Sequence, residues 1–565
     1  MQSVAILVLG LAGMAFGWFV YSKFIATKIF QLDPDFVTPA HELNDGVDYL
    51  PTNKFVLWGH HFTSIAGAAP IVGPAIAVYW GWVPAVLWVT IGTIFFAGIH
   101  DWGAIWASAR NKGKSMGALS EDVIGKRTRA LFMIVIFLLL LMVNAVFGVI
   151  IAGLFVSTTT AVFPAWSAIV VALIIGQLLH RNFNLTLLTV CGVIALYASI
   201  YVGSQLPIPL PEQMFGMPAN GNWIIILFVY AAIASMLPVW VLLQPRDFIN
   251  GMQLFVGLFL LYSAVLLSLP DISAPAFNSM VSVDSPSLVP LLFVTIACGA
   301  VSGFHGIVSS GTTSKQLDKE PDSRFIGYLA AVGEGSLALI TIVAVSSVAL
   351  AATQMEWHQI YGQYGEAEGF ESIAAVFVQG GAQLIQNGWG LPLGISTTLL
   401  ATMVVLFAAT TMDTGVRLQR YIIQEWGQIY KVPLLNNSIL ATLLAVGSCL
   451  LLAFGAGGAS GSGALTIWPL FGSTNQILAG LTLLVISVML IKLGRPARYT
   501  LVPMIFVLIT SSWAAVIKLI EWYQEGNWLL VTIDIIVLVT SVLVILEAAS
   551  VISSYRRDNQ VSKAP

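Results

Sequence analysis

The chain alternates long apolar runs with short segments in which its polar and charged residues are concentrated. About 20 apolar residues, at 1.5 Å of rise per helical residue, cross the hydrocarbon core of a bilayer. The pattern therefore predicts an all-α polytopic membrane protein with about fifteen transmembrane helices, near residues 3–22, 62–79, 83–108, 129–156, 163–180, 185–204, 222–243, 248–269, 288–310, 325–352, 392–412, 437–455, 465–491, 500–520 and 529–552.

Composition agrees with this pattern. Of the 565 residues, 58% are hydrophobic and only 9% are charged, whereas soluble domains carry roughly 25% charged residues. Lipid must therefore solvate the outer surface. The three cysteines, Cys191, Cys298 and Cys449, lie in apolar runs at wide spacing and are interpreted as small core residues. The first run follows no basic segment and is predicted to be an uncleaved span.

The basic residues predict the orientation of the chain. If the fifteen spans alternate in direction, only Lys518 of the 24 Lys and Arg residues falls on the side opposite to the others. Loops rich in Lys and Arg lie in the cytoplasm. We therefore predict a multi-pass protein of the bacterial inner membrane with its N-terminus outside and its C-terminus in the cytoplasm.

Three spans are interrupted by glycine, proline and hydroxyl residues, at 60–74, at 234–240 and at 297–306 with an extension to 313. Proline removes a backbone hydrogen bond, and an unpaired backbone group in hydrocarbon costs several kcal/mol. Such breaks persist where they line a cavity, although isolated glycines also serve close helix packing. The candidate substrate-binding residues are His60, His61, Ser64, Ala66, Gly67, Pro70, Gly73, Ser235, Pro238, Trp240, Gly303 and His305.

The positions of the first two breaks suggest an inverted repeat. The break at 60–74 enters from the basic side, and the break at 234–240, five spans later, enters from the opposite side. Transporters built from two halves of five inverted helices place broken helices in this way. The N-terminus of a half-helix offers free N–H groups to an anion such as a carboxylate.

Glu334 lies close to the middle of its span. Because a carboxylate at this depth is costly, it is a candidate for proton or ion coupling, and a static hydrogen bond to another helix is the alternative. The hydroxyls near the third break could bind Na⁺ or bond back to their own helix; these candidates are Ser309, Ser310, Thr312 and Thr313.

Further polar residues are candidates for gating, namely Asp101, Arg246, Asp247, Asp413 and Arg417. Arg417 follows Asp413 by four residues, a spacing that favours an ion pair on one helix. His100 and Asp101 predict either a helix-locking contact or transport chemistry. Arg246 either attracts an anionic substrate or anchors the interface.

Several blocks together resemble the carbon starvation protein A family. They are TPA at 38–40, NDGVDY at 44–49, GHHF at 59–62 continuing to GP at 73–74, LPVW at 237–240, QPRD at 244–247, SGFH at 302–305, SSGTTSK at 309–315, DTGVR at 413–417, PLFG at 469–472 and NQ at 475–476. Ala69 departs from the Gly-Pro expected before the Ile-Val-Gly-Pro stretch.

The resemblance implies a transporter of the amino acid–polyamine–organocation superfamily with a leucine-transporter-like 5+5 inverted repeat and extra helices at both ends. It implies a transporter region at 1–390, a five-helix C-terminal region at 391–552 and a tail at 553–565. The two core repeats would cover about 60–204 and 222–412. A coupling-cation site would be shared between the spans at 62–79 and 288–310.

The broken helices predict a secondary active transporter that imports small carboxylate-bearing nutrients, and the resemblance implies that these are short peptides or pyruvate and that the protein is linked to carbon starvation. Its expected partners are the substrate, a coupling ion (proton or sodium) and membrane lipid, with no nucleic acid, cofactor or metal, and the oligomeric state stays open. A passive channel is one alternative. A membrane enzyme with Zn²⁺ on His60, His61 and His305 is another, although no HExxH motif is present.

Overall fold

A computed structural model describes residues 2–46, 48–181, 183–238, 241–279, 285–347, 356–364, 372–461 and 463–561. Its first α-helices are α1 Gln2–Phe16, α2 Ser22–Phe24, α3 Pro39–Glu42, α4 Lys54–Ile65, α5 Ala69–Ala77, α6 Trp82–Gly92, α7 Gly98–Ala109, α8 Met116–Val123, α9 Lys126–Ser157, α10 Val162–His180 and α11 Leu185–Gly203. The others are α12 Ala219–Met236, α13 Leu243–Ser268, α14 Leu288–Thr295, α15 Gly303–Gly311, α16 Leu329–Ser346, α17 Trp357–Ile360, α18 Ile373–Trp389, α19 Leu393–Ile429, α20 Ser438–Gly457, α21 Ala464–Lys492, α22 Arg498–Glu525 and α23 Trp528–Val561.

Short segments of other helix types join several of these helices. π-Helical turns at Gly17–Tyr21, Ile25–Phe30 and Thr93–Ala97 make Gln2–Phe30 and Trp82–Ala109 continuous, and another at Arg324–Tyr328 precedes α16. The part of the chain that the structure describes has five 3₁₀ turns, at Val78–Trp80, Thr159–Ala161, Thr313–Lys315, Pro433–Asn436 and Gly458–Ser460. Strands β1 Gln213–Met214 and β2 Met217–Pro218 pair antiparallel in a small hairpin.

The chain is nearly all helical, as predicted. Among the described residues, 13 helices are long and apolar enough to cross a membrane, or 14 if the bent pair Lys54–Ile65 and Ala69–Trp80 counts as one span. The predicted span at 288–310 appears as α14 and α15, of 8 and 9 residues, which are each too short to cross alone. The count of fifteen spans and the 5+5 repeat stay predictions.

Two expectations about helix boundaries are wrong. The chain at 353–391, expected to be an external loop, contains α18, 17 residues long and largely buried. Its glutamines keep it below the apolarity of a spanning run, and burial comes from packing against α13, α16 and α19. The expected break inside the span 222–243 is instead the end of α12 at Met236, because the chain leaves the helix before Pro238 and restarts as α13.

Candidate functional site

The first predicted break is present between α4 and α5. α4 ends at Ile65, Ala66 and Gly67 leave helical geometry, and α5 begins at Ala69 with Pro70 in its first turn. The two half-helices are bent by 49°. Residues 61–80 are all buried in protein, as an interrupted backbone at membrane depth requires.

A second break separates α14 from α15. Ile296 and Ser302 are non-helical, and Gly299 has a φ of +89°, which glycine adopts without strain. The two breaks lie side by side: a Cβ atom added to Gly73 would lie 2.5 Å from the carbonyl oxygen of Thr295. Only a glycine at 73 therefore allows this approach.

The segment beside the first break is therefore 296–302, and the grouping of 60–74 with 234–240 in one site stays a prediction. Ser235 donates its hydroxyl hydrogen to Ala232 of its own helix, and Pro238 is exposed in the connection to α13. Trp240 lies outside the described residues. Gly303, by contrast, begins α15 beside the backbone of Asn475 and Ala479 in α21, so close packing explains that glycine.

A central cluster, defined as Asp101, His305 and Glu334, lies at the second break. His305 Nδ1 is 2.8 Å from Asp101 Oδ2, and His305 Nε2 is 3.3 Å from Glu334 Oε1. His100 Nδ1 contacts the other oxygen of Asp101 at 2.8 Å. All four side chains are at most 1% exposed. Helices α7, α15 and α16 thus align two carboxylates and two imidazoles.

The candidate hydroxyls divide into two groups. Ser310 and Thr312 bond to carbonyl groups of their own helix, at Gly306 and Val308 respectively. Ser309 donates to the carbonyl of Asp101, and Thr313 contacts His61 Nδ1 at 2.8 Å.

The four candidate hydroxyls therefore have four different partners. Ser64 likewise bonds to His60 in α4. The contact between His61 and Thr313 ties α4 to the turn that follows α15.

A gate cluster, defined as Arg246, Asp247, Asp413 and Tyr230, joins α13, α19 and α12. Arg246 forms a buried ion pair with Asp413, and Tyr230 donates to the same carboxylate at 2.8 Å. Asp247 Oδ2 lies 3.2 Å from His60 Nδ1 in α4. This cluster therefore connects the first broken helix region with three neighbouring helices.

The expected pair between Asp413 and Arg417 is wrong. Arg417 donates to the carbonyl oxygens of Ala234 and Leu237, at 3.1 and 2.6 Å. Both carbonyls lie at the C-terminal end of α12, so the guanidinium caps that helix. The carboxylate of Asp413 instead forms an ion pair with Arg246, which is 167 residues away in sequence.

Both clusters keep buried polar atoms without a hydrogen bond among the described residues. They are Glu334 Oε1 and Oε2, His305 Nε2, Arg246 Nε and Nη2, Asp247 Oδ1 and Oδ2, and Asp413 Oδ1. Most buried polar groups in proteins are paired, and exceptions concentrate at functional sites. The two clusters are therefore places where a proton, an ion or a polar substrate can bind.

Sequence reasoning missed Cys298 and Tyr230. Cys298 lies in the second break, its sulfur grouped with His305 and Glu334 so that one ligand atom from each lies within 4.8 Å of the others. The adjoining glycine- and serine-rich block could have indicated Cys298. No local pattern marks Tyr230.

The three histidines of the enzyme alternative have different partners: His60 contacts Asp247, His61 contacts Thr313 and His305 contacts Asp101.

Comparisons with known proteins agree with this architecture. The model of the family described as "Carbon starvation protein CstA" matches residues 2–514. The chain is 33% identical to a protein named "Peptide transporter CstA" from Campylobacter jejuni, with 90% of this chain and 79% of that protein covered. It is 30% identical to the "Pyruvate/proton symporter BtsT" of Escherichia coli, with coverage of 88% and 79%.

A solved structure of a manganese transporter mutant from Eremococcus coleocola overlaps 91% of this chain and 99% of its own, at 12% identity and a TM-score of 0.48. No argument rests on this overlap. The curated relatives are named as transporters, in agreement with the expected class of protein. The chain belongs to the carbon starvation protein CstA family and is a multi-pass membrane transporter.

Proposed function

We propose that this transporter imports a small carboxylate-bearing nutrient, a short peptide or pyruvate, together with a proton. The observation that carries the proposal is the placement, beside two broken helices, of buried ionisable side chains that keep atoms without a hydrogen bond among the described residues. A secondary transporter uses such interrupted helices at its central site. The relatives named for peptide and for pyruvate/proton transport fit the same substrate chemistry.

The substrate carboxylate would bind at the first break. The amide groups of Ala68 and Ala69 at the start of α5 have no hydrogen-bond acceptor among the described residues. Free amides at a helix N-terminus favour an anion. Gly67 lies against the side chains of Phe147 and Thr411, and Gly73 lies against the backbone of Thr295, so both glycines allow close packing around this turn.

The proton would bind at the central cluster. Glu334 and His305 each have buried atoms without a hydrogen bond among the described residues. Asp101 orients the imidazole of His305 by contacting its Nδ1 atom. Carboxylates and histidines inside membrane proteins form proton relays. The second break lies beside this cluster, so a change in the break would change the environment of the proton.

The gate cluster would close the path on the basic face, which the positive-inside rule assigns to the cytoplasm. Arg246 and Asp413 join helices that must separate if the bundle rocks about the breaks. If the bent pair and the divided span at 288–310 each cross the membrane once, the total would be fifteen spans, which supports an N-terminus outside. The protein would then lie in the bacterial inner membrane.

Transport in proteoliposomes tests the proposal. Labelled pyruvate, a dipeptide and an amino acid are offered with and without an inward pH gradient, and accumulation and counterflow are measured separately. Glu334→Gln should abolish gradient-driven accumulation and spare counterflow, because it removes the proton acceptor and keeps the shape. Asp534→Asn is the matched control, since Asp534 is a buried carboxylate on α23.

Wild-type accumulation by Glu334→Gln would remove Glu334 from coupling. A flux without saturation or counterflow would favour the channel, and conversion of the substrate would favour the enzyme.

A further inference from the structure

We propose that Cys298, His305 and Glu334 form a binding site for a borderline divalent transition-metal ion such as Zn²⁺. All three residues are buried, and the ligand atoms, one from each, lie within 4.8 Å of one another. Thiolate sulfur, imidazole nitrogen and carboxylate oxygen are the three ligand types of protein zinc sites. The set is unsuited to Mg²⁺ or Ca²⁺, which prefer oxygen ligands throughout.

The geometry is close to that of a metal site. Zinc–ligand bonds of about 2.0–2.3 Å place tetrahedral ligands roughly 3.5 Å apart. His305 Nε2 and Glu334 Oε1 are already 3.3 Å apart, and neither atom has a hydrogen bond among the described residues. Cys298 lies on the non-helical chain between α14 and α15, so its sulfur can move toward them without disturbing a helix.

The residues around the three ligands provide the orientation that metal sites require. Asp101 accepts from His305 Nδ1 at 2.8 Å, which leaves Nε2 as the metal-facing nitrogen. A carboxylate behind a ligating histidine is the usual supporting arrangement. Asn475 Nδ2 lies 3.5 Å from Cys298 Sγ and can donate to a thiolate.

Charge also favours a divalent ion. A thiolate and one carboxylate together neutralise two positive charges, which lowers the cost of placing the ion in a buried site. Three protein ligands leave a fourth position open, so the ion can still exchange. Zn²⁺ in this site would hold the second break to α16 and occupy the atoms that the proposed function assigns to the proton.

Metal binding is tested on the purified full chain in nanodiscs. After treatment with a chelator, the protein is loaded with Zn²⁺ or Co²⁺ and desalted, and bound metal is measured by mass spectrometry. The wild type should retain about one ion per chain, and Co²⁺ should give a sulfur-to-cobalt charge-transfer band. Cys298→Ser should lose the band and most of the metal.

Cys449→Ser is the matched control, since Cys449 is a buried cysteine of α20 that contacts Gln419. It should keep both metal and band. His305→Gln provides a second ligand deletion if Cys298→Ser folds poorly. A wild type that retains no more metal than Cys298→Ser, or a band that survives in that variant, would overturn the site.

A test of transport inhibition by Zn²⁺ rests on the proposed function. It distinguishes failure of the metal site from failure of the coupling role of Glu334. Zn²⁺ should reduce proton-driven accumulation at least tenfold in wild type and in Cys449→Ser, and much less in Cys298→Ser. If one ion binds through Cys298 and accumulation is unchanged, the metal site stands and the coupling role of Glu334 fails. If no ion binds, the metal site fails and the coupling role is judged by Glu334→Gln.

Discussion

The central cluster and the gate cluster are both buried and polar, but their chemistry differs. The central cluster has only groups that gain or lose a proton, namely two carboxylates and the imidazole of His305, with that of His100 beside it. The gate cluster contains Arg246, whose guanidinium stays charged in proteins. Reversible binding of a proton or an ion therefore fits the central cluster, and a permanent ion pair fits the gate cluster.

The two clusters also differ in the backbone that surrounds them. The central cluster lies at the second break, where the backbone is already non-helical. The gate cluster joins three intact helices, α12, α13 and α19. Removing a residue should therefore affect proton coupling at the central cluster and the packing of helices at the gate cluster. The following variants test that contrast, from the largest expected effect to the smallest.

Arg246→Gln should have the largest effect. It leaves the buried Asp413 carboxylate without its cation, which typically costs about 3–5 kcal/mol. Thermal unfolding of the purified protein in detergent should show a large loss of stability. Arg246→Gln combined with Asp413→Asn should recover part of it, because the unpaired charge is gone. No recovery in the double variant would argue against direct pairing.

Asp101→Asn should reduce proton-driven accumulation by about 10–100-fold, by analogy with the removal of a carboxylate that orients a metal-ligating histidine. Folding should be affected less than in Arg246→Gln. The pH dependence of transport should shift, since the neutral amide no longer stabilises a charged His305. A uniform loss of transport without a shifted pH profile would indicate a purely structural role for Asp101.

Pro70→Ala combined with Pro74→Ala should impair transport more than folding. Alanine restores the backbone N–H groups and favours a continuous helix across the first break. The measurement compares the substrate KM with thermal stability in the same preparation. Unchanged transport kinetics would contradict a substrate site at this break.

Gly73→Ala should destabilise the contact between the two breaks by about 1–3 kcal/mol, as overpacking does. The added Cβ would meet the carbonyl oxygen of Thr295 at 2.5 Å. Gly59→Ala is the matched control, because a Cβ there has nothing within 4 Å. Equal thermal stability of the two variants would show that the breaks do not pack closely.

Thr313→Val should have the smallest effect. It removes the hydrogen-bond partner of His61 Nδ1 and keeps the volume of the side chain. The expected cost is about 1–2 kcal/mol, that of one unpaired buried group. A matched substitution at Thr312, whose hydroxyl bonds only to its own helix at Val308, should cost less.

Sequence patterns determined the membrane class, most of the helices, the family and the presence of a break at 60–74. These features depend on local composition: a long apolar run forms a helix in lipid wherever it packs, and Pro70 interrupts one regardless of its neighbours. Glu334 was also recognisable, because a carboxylate in an apolar run is costly on its own.

Tertiary structure alone decided which groups meet. Asp413 pairs with Arg246, 167 residues distant, and not with Arg417 on the same helix face. His305 meets Asp101 across 204 residues, and Cys298 joins them through a bent backbone. Contacts of this kind depend on how helices pack against one another, and spacing along the chain carries no information about that packing.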